Sequence, residues 1–303
     1  MKYLVRVGAD HLIIDSHCHG WPKWPFDPPV PDPASRGRLE QLMWEMDRAG
    51  VDQAVVVCAS FEGNRDNVGY VSRFAARHRE RFHIFADVDC LWAQTYHTDG
   101  AAARLSRIAK RLNLKGFTHY LRDDVDDWFE SRAGRDFLDT AATLGLVMSL
   151  SAIPAWQPTV RKIAKRYPTL RIVCHHMGFV RRHGSRWAGL KEVLASSDSP
   201  NILLKVSGFH YSNASRPMQG MTLPASWDFP YPASLELLRM LHKAYGAHRL
   251  CWGSDHPVVE GSMTYRQSLE VVRSLCDFMT EDDKKWVLGK TMLSLLRAKP
   301  GPT

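Results

Sequence analysis

The strongest chemical signal in the sequence is Asp15-Ser16-His17-Cys18-His19, which directly follows the apolar run 12–15. Side chains alternate faces along a strand, so Asp15, His17 and His19 are expected to point together into a site while Ser16 and Cys18 face the other way. Two imidazoles one residue apart at a strand end can share a divalent metal. The alternative is a pair of buried histidines with ordinary hydrogen bonds.

A second signal is Asp255, in the segment WGSDHP (252–257) that closes the last apolar run. A carboxylate there can take a proton from water, or complete a metal site with His17 and His19. Its alternative role is to cap a turn before Pro257. A third signal is His175-His176-Met-Gly after the sixth run, where one of the two histidines should face the site or else serve the core.

Several further residues are candidates for binding a substrate. Lys205 interrupts an apolar run beside Ser207, and a buried lysine must be paired, hydrated or neutral. It would either bind an acidic ligand or bridge to a neighbouring carboxylate. Candidate anchors for substrate carboxylates are Arg122, Arg181 and Arg182, with solvated surface charge as the alternative. Candidate walls for a ring are Tyr120, Tyr211, Trp21 and Trp24, with loop packing as the alternative for the tryptophans.

Eight short apolar runs supply the elements that must position these residues. They span 12–15, 54–59, 83–88, 114–119, 146–150, 171–176, 202–207 and 249–255. Such runs are typical of parallel strands that are buried on both faces. Helical patterns fill the gaps, and eight alternating pairs predict a single-domain, distorted (β/α)8 barrel over residues 1–303 rather than an open sheet.

Helix boundaries and long loops add detail to this barrel. Ser35 is predicted to cap the first helix, Thr280 with Asp283 to cap a final helix near 281–297, and 187–196 to be helical throughout. The long loops 20–34 and 208–232 follow strand ends on the functional face of a barrel, where they would form lids or binding walls.

Composition narrows the class of protein. The 303 residues are 45% hydrophobic with a net charge of +8, and no basic block or nucleic-acid module is present. The charge predicts either a solvated basic surface or steering of an anionic small molecule. The six cysteines form no CxxC pair and are typical of reduced core thiols. No secretory signal or membrane span is evident, so a cytoplasmic protein with no membrane or nucleic-acid partner is expected.

Taken together, DSHCH, PAWQP (154–158), LLKVSG (203–208) and RLCWGSDHP (249–257) resemble the amidohydrolase-related TIM-barrel hydrolases, which include sugar lactonases and 2-pyrone-4,6-dicarboxylate lactonases. The resemblance covers nearly the whole chain. It implies that His17 and His19 are the strand-one pair, His176 the strand-six histidine and Asp255 the general base toward water. Asn67 resembles an asparagine that opens the second helix in the family.

The sequence departs from that family at several positions. The fifth run, LVMSL, has no histidine; the fourth, LKGFTHY, has His119 but lacks the usual arginine; and His175 stands where relatives commonly have aspartate. A divalent metal, zinc or manganese, on His17, His19 and Asp255 is therefore one expectation, and a metal-independent site is the other.

The leading hypothesis is a hydrolase that opens a lactone of a carboxylated small molecule. Asp255 would activate water while His17, His19 and His176 polarise the carbonyl. The alternatives are a metal-dependent decarboxylase of an aromatic or muconate-type acid, a hydratase, and a barrel kept only for binding. The sequence does not address the oligomeric state.

Overall fold

Eight parallel strands form one sheet whose order follows the chain in the computed structural model, which describes residues 12–26, 30, 32–212 and 230–298. They are β1 (Ile14–Cys18), β2 (Gln53–Val57), β3 (Phe82–Asp87), β4 (Gly116–Tyr120), β5 (Val147–Ser151), β6 (Arg171–Cys174), β9 (Ile202–Val206) and β10 (Leu250–Trp252). An antiparallel hairpin, β7 (Arg181–His183) and β8 (Arg186–Ala188), is inserted after β6. The predicted (β/α)8 barrel is confirmed.

Helices alternate with the strands and cover the outside of the sheet. They are α1 (Leu39–Ala49), α2 (Asn67–Arg77), α3 (Ala101–Leu112), α4 (Arg132–Thr143), α5 (Gln157–Arg166), α6 (Leu190–Ala195), α7 (Phe209–Ser212), α8 (Pro232–Tyr245), α9 (Tyr265–Glu270), α10 (Glu281–Lys285) and α11 (Thr291–Arg297). The predicted capping box at Thr280 and Asp283 is present before α10.

The strands bury apolar side chains on both faces, as continuous apolar runs require. Inside the barrel, the side chains of one layer of strand residues pack together and meet α11 at the amino-terminal end; these strand residues are Ile14, Val55, Phe85, Val147, Val173, Leu203 and Cys251. The opposite face of each strand packs against the helices. All six cysteines are buried and unpaired, as predicted. The apolar floor leaves the carboxyl-terminal end, here called the mouth, as the place for polar side chains.

The barrel closes at a seam between the end of β1 and the segment that follows β10. The Asp255 amide donates to the His17 carbonyl at 2.7 Å, and the His19 amide donates to the His256 carbonyl at 2.7 Å. The two segments that carry the strongest chemical signals are therefore hydrogen-bonded to each other.

Three local expectations are wrong. Ser35 does not cap α1, because its hydroxyl donates to Asp32 and the helix begins after Arg38. The segment predicted to be helical at 187–196 begins as strand β8, and the helix starts only at Leu190. Asp15 does not point into the mouth with His17, because an irregularity in the β1–β2 register between Asp15 and Cys18 interrupts the alternation.

Some expectations fall on parts of the chain outside the described residues. These parts are the amino-terminal segment 1–11, on which the signal-peptide prediction rests, and most of the long loop after β9, 213–229. Within the described ranges, no helix has the length and apolar character needed to cross a membrane.

Candidate active site

A triangle of three donor atoms lies at the mouth where β1 meets the segment after β10. His17 Nε2 is 3.2 Å from His19 Nε2, and Asp255 Oδ1 is 3.5 Å and 3.4 Å from these two nitrogens. His17 is fully buried, and Asp255 is only 2% exposed. The two strongest sequence signals therefore meet in one buried cluster.

The register irregularity in β1 brings both histidines to this cluster. Ile14 packs in the barrel interior, so regular alternation would turn Asp15 toward the helices, and the irregularity then returns His17 to the inside. Gly253 allows the opposite segment to approach, because a Cβ at this position would lie 2.6 Å from His17 Cβ. The close approach of the two segments therefore depends on the irregularity in β1 and on the absence of a side chain at Gly253.

Asp15 fastens the seam from its outer side. Its Oδ1 accepts from the amides of His17 at 3.1 Å and Ser254 at 2.9 Å. Its Oδ2 accepts from the hydroxyls of Ser254 at 2.6 Å and Tyr265 at 3.1 Å. Asp15 therefore holds the chain segments that carry His17 and Asp255 in register.

Both histidines after β6 face the cluster, although the sequence predicted that only one of them would. The ring centroids of His175 and His176 each lie 4.6 Å from that of His17. His176 and Met177 have positive φ angles, and this sharp turn ends the strand alternation that would have separated the two rings. His175 Nε2 contacts Ser149 Oγ at 2.8 Å, and His176 Nδ1 contacts Ser207 Oγ at 3.0 Å.

Lys205 reaches the same cluster from β9 and is fully buried. Its Nζ lies 3.1 Å from His17 Nδ1, on the side of the ring opposite to Asp255. Burial lowers the pKa of Lys205 to about 8. Burial, and then the charge of Lys205, hold the pKa of His17 well below its ordinary value. His17 is therefore a neutral imidazole near pH 7.

The cluster keeps Asp255 ionised. Burial by itself would raise the pKa of Asp255, but the charge interaction with His176 and the hydrogen bond from His17 outweigh it and hold the pKa well below its ordinary value. Burial lowers the pKa of His176 to about 3. An anionic carboxylate thus lies near His17 and His176, which are neutral imidazoles and can donate or accept hydrogen bonds according to their tautomer.

Besides Lys205, three of the predicted substrate-binding residues lie around the cluster. The Tyr120 ring meets that of His175 at 5.3 Å, and the Tyr211 ring meets that of His176 at 5.1 Å. Arg181 extends from β7 with its guanidinium 5.9 Å from the Tyr211 ring. These residues outline one side of the mouth.

The remaining predicted residues are engaged in contacts with the protein itself. The Arg122 guanidinium stacks over Tyr96 at 4.5 Å, and Arg182 lies over Trp187 and near Glu236. The Asn67 amide is engaged with two backbone groups, the Ala59 amide and the Gly20 carbonyl. Trp21 is buried and stacks on His19 at 5.0 Å, so it supports the cluster from behind. His119 packs against Phe137 and hydrogen-bonds the Val88 carbonyl, away from the cluster.

Sequence reasoning missed the groups that orient the imidazoles. His19 Nδ1 lies 2.7 Å from the Val57 carbonyl, and this contact fixes the hydrogen of His19 on Nδ1 because a carbonyl can only accept. Ser149, the partner of His175, was visible as a polar residue within the apolar run 146–150. Nothing in the sequence indicates the contact between His19 and Val57, because the partner is a backbone oxygen that every residue type has.

A large polar cleft of about 1060 Å³ lies elsewhere, between α2 and α3 outside the barrel. Its lining contains four arginines, Arg65, Arg73, Arg104 and Arg111, together with four acidic residues, Glu62, Asp66, Asp87 and Asp89. None of the histidines of the mouth borders it, and its charges balance. The cluster at the mouth, rather than this cleft, holds the groups suited to chemistry.

The donor atoms of the triangle are spaced as a divalent cation requires. One ligand atom from each of His17, His19 and Asp255 lies within 4.8 Å of the other two. His19 also has its second nitrogen on a carbonyl, which is the usual arrangement for a metal-binding histidine. The spacing of the three ligand atoms therefore fits a metal. The second nitrogen of His17, however, contacts the Lys205 ammonium and not a carbonyl or carboxylate.

A parallel (β/α)8 barrel whose mouth gathers four imidazoles and an ionised carboxylate has the parts of an enzyme that activates water. Residues 14–297 match the model of the family described as Amidohydrolase. The chain therefore belongs to the amidohydrolase family and is a hydrolase.

Individual relatives are more distant. An L-fucono-1,5-lactonase from Burkholderia ambifaria is 27% identical over 262 residues, which cover 81% of this chain and 80% of the relative. A probable 2-pyrone-4,6-dicarboxylic acid hydrolase from Acinetobacter baumannii, solved with citric acid bound, superposes with a TM-score of 0.70 at 18% identity and covers 94% of this chain and 98% of its own. A zinc-bound amidohydrolase from Burkholderia multivorans has a TM-score of 0.68 at 19% identity, covering 94% of this chain and 99% of its own. The two structures support the fold.

Proposed function

We propose that this protein hydrolyses a lactone, with Asp255 as the general base. The observation that carries the proposal is the buried, ionised Asp255 at the barrel seam, whose Oδ1 lies within 3.5 Å of two imidazoles. The similarity to a sugar lactonase and to a pyrone dicarboxylate hydrolase supports an ester in a ring as the substrate.

In the proposed reaction, Asp255 takes a proton from a water molecule as the water oxygen attacks the lactone carbonyl carbon. The negative charge then develops on the carbonyl oxygen. When the ring C–O bond breaks, the leaving oxygen takes the proton back from Asp255, and the product is a hydroxy acid. A positioned general base contributes about 10²- to 10⁴-fold to such a step.

His176 is the group best placed to stabilise the developing oxyanion. If the Ser207 hydroxyl donates to His176 Nδ1, the hydrogen of the neutral ring is on Nε2 and available to the oxyanion. Tyr211, whose ring lies 5.1 Å from His176, would contact the substrate ring on the same side.

A carboxylate on the substrate would be met by Arg181, which lies beyond Tyr211 on the rim of the mouth. Lys205 is not free for that role, because its ammonium contacts His17 within the buried cluster. Arg181 is thus the residue on which the proposed preference for an anionic lactone depends.

A lactone panel tests the proposal. Purified protein is mixed with sugar 1,5-lactones and a pyrone dicarboxylate, and acid release is followed with a pH indicator. We expect turnover of at least one lactone and a loss of 10²-fold or more in kcat for Asp255→Asn, with an unchanged circular dichroism spectrum. An aromatic acid assayed for carbon dioxide release separates the decarboxylase alternative. Near-normal kcat in the variant would refute the role of Asp255.

A further inference from the structure

Lys205 has an unusual partner for a buried lysine. No carboxylate of the described residues forms an ion pair with its Nζ, although the sequence left a carboxylate bridge open. The hydrogen-bond partner of Nζ is instead His17 Nδ1 at 3.1 Å, and the Phe85 ring lies 5.8 Å away. Within the part of the chain that the structure describes, the hydrogen-bond partner of the ammonium is therefore an imidazole of the triangle.

This contact fixes where His17 carries its hydrogen. An ammonium group has three donors and no acceptor, so His17 Nδ1 must be the acceptor and the hydrogen of the neutral ring must be on Nε2. That hydrogen points to His19 Nε2 at 3.2 Å and Asp255 Oδ1 at 3.5 Å. His19 Nε2 can accept, because the Val57 carbonyl holds the hydrogen of His19 on Nδ1.

The contacts from Lys205 to His17 and from His17 to His19 therefore each join a donor to an acceptor without a cation. A cation in the triangle needs the lone pair of His17 Nε2. The hydrogen of His17 would then move to Nδ1 and point at the ammonium, so that two donors would face each other across 3.1 Å. Metal-binding histidines usually direct this second N–H toward a carboxylate or carbonyl. The positive charge of Lys205 opposes a dication as well.

We propose that Lys205 selects against a divalent cation in the triangle of His17, His19 and Asp255, and supplies a fixed positive charge of the protein in its place. Lys205 is a positioning residue, since it acts on the site through His17. The inference concerns the same site as the proposed function but does not depend on the substrate.

The test exchanges the donor for an acceptor. In Lys205→Gln, the amide oxygen can accept a hydrogen bond from His17 Nδ1, and the positive charge is gone. Metal-free protein is titrated with Co²⁺, followed by its visible absorption, and with Zn²⁺ by calorimetry, at one fixed pH and without substrate. We expect the variant to bind at least tenfold more tightly than the wild type, which corresponds to about 1.4 kcal/mol.

Two further variants make the result specific. Lys205→Met removes the donor and the charge with an apolar side chain that suits a buried position, and it should also gain affinity. Adding His17→Gln to Lys205→Gln should abolish the gain, because the cation would lose a ligand. Equal or weaker binding by both single variants would overturn the proposal, as would a gain that survives the loss of His17.

A measurement on the wild type covers the case in which the variants do not fold. With histidine labelled with ¹⁵N, long-range ¹H–¹⁵N spectra distinguish the two tautomers, and His17→Gln assigns the resonance. We expect His17 to carry its hydrogen on Nε2. A hydrogen on Nδ1 would overturn the proposal. Neither readout uses activity, so a failure to open any lactone would count against the proposed function alone.

Discussion

Replacing Asp15 with alanine should destabilise the protein far more than a typical substitution. The side chain accepts four buried hydrogen bonds, from the amides of His17 and Ser254 and the hydroxyls of Ser254 and Tyr265. Each such bond contributes roughly 0.5–1.5 kcal/mol net, so the loss of four predicts about 4 kcal/mol. That is a large share of the roughly 5–15 kcal/mol by which a domain is stable.

Urea unfolding followed by tryptophan fluorescence measures this loss as a shift in midpoint at constant slope. Tyr265→Phe is the matched control, because it removes one donor and should cost about 1 kcal/mol. In the double variant the Tyr265 change should add almost nothing, since its partner is already absent. A loss below about 1 kcal/mol for Asp15→Ala would show that Asp15 does not fasten the seam.

Two further predictions concern residues near the seam. Gly253→Ala should lower the free energy of unfolding by about 1–3 kcal/mol and reduce kcat, because the new Cβ would lie 2.6 Å from His17 Cβ. Thermal unfolding and the lactone assay measure these two effects. An unchanged melting midpoint would contradict the prediction. Burial would raise the pKa of Glu260, but His256 and Arg36 hold it below its ordinary 4.5. A depressed folded-state pKa gives stability at pH 7 that is lost as the pH falls through that pKa. Glu260→Gln should therefore cost about 1 kcal/mol at pH 7 and progressively less below pH 4.5, and a difference from the wild type that is independent of pH would contradict this.

The fold could be predicted from the sequence because the same pattern, an apolar run followed by a helical segment, recurs eight times. Each barrel strand is an apolar run, and all eight predicted runs contain or overlap an observed strand. The errors fall where a local pattern competes with a tertiary contact. Residues 187–196 look helical, but Arg186–Ala188 pair with the preceding strand of a hairpin, which periodicity cannot reveal.

The site was predictable in its members but not in its connections. Barrel closure alone implied that His17 and Asp255 would meet, since the first and last strands are neighbours. The inward turn of both His175 and His176 depends on positive φ angles at His176 and Met177, and neither residue type favours such angles. The contact between Lys205 and His17 joins residues 188 positions apart, and the sequence left the partner of Lys205 open.

Oxygen isotope transfer in a single turnover tests the central claim most directly. Excess enzyme in H₂¹⁸O is mixed with the lactone that it opens fastest, and both product and protein are analysed by mass spectrometry. If Asp255 is a general base toward water, the first product carries one ¹⁸O in its new carboxyl group, and Asp255 carries none. An unlabelled first product, with ¹⁸O in Asp255, would show that the carboxylate attacks the lactone itself and would contradict the account.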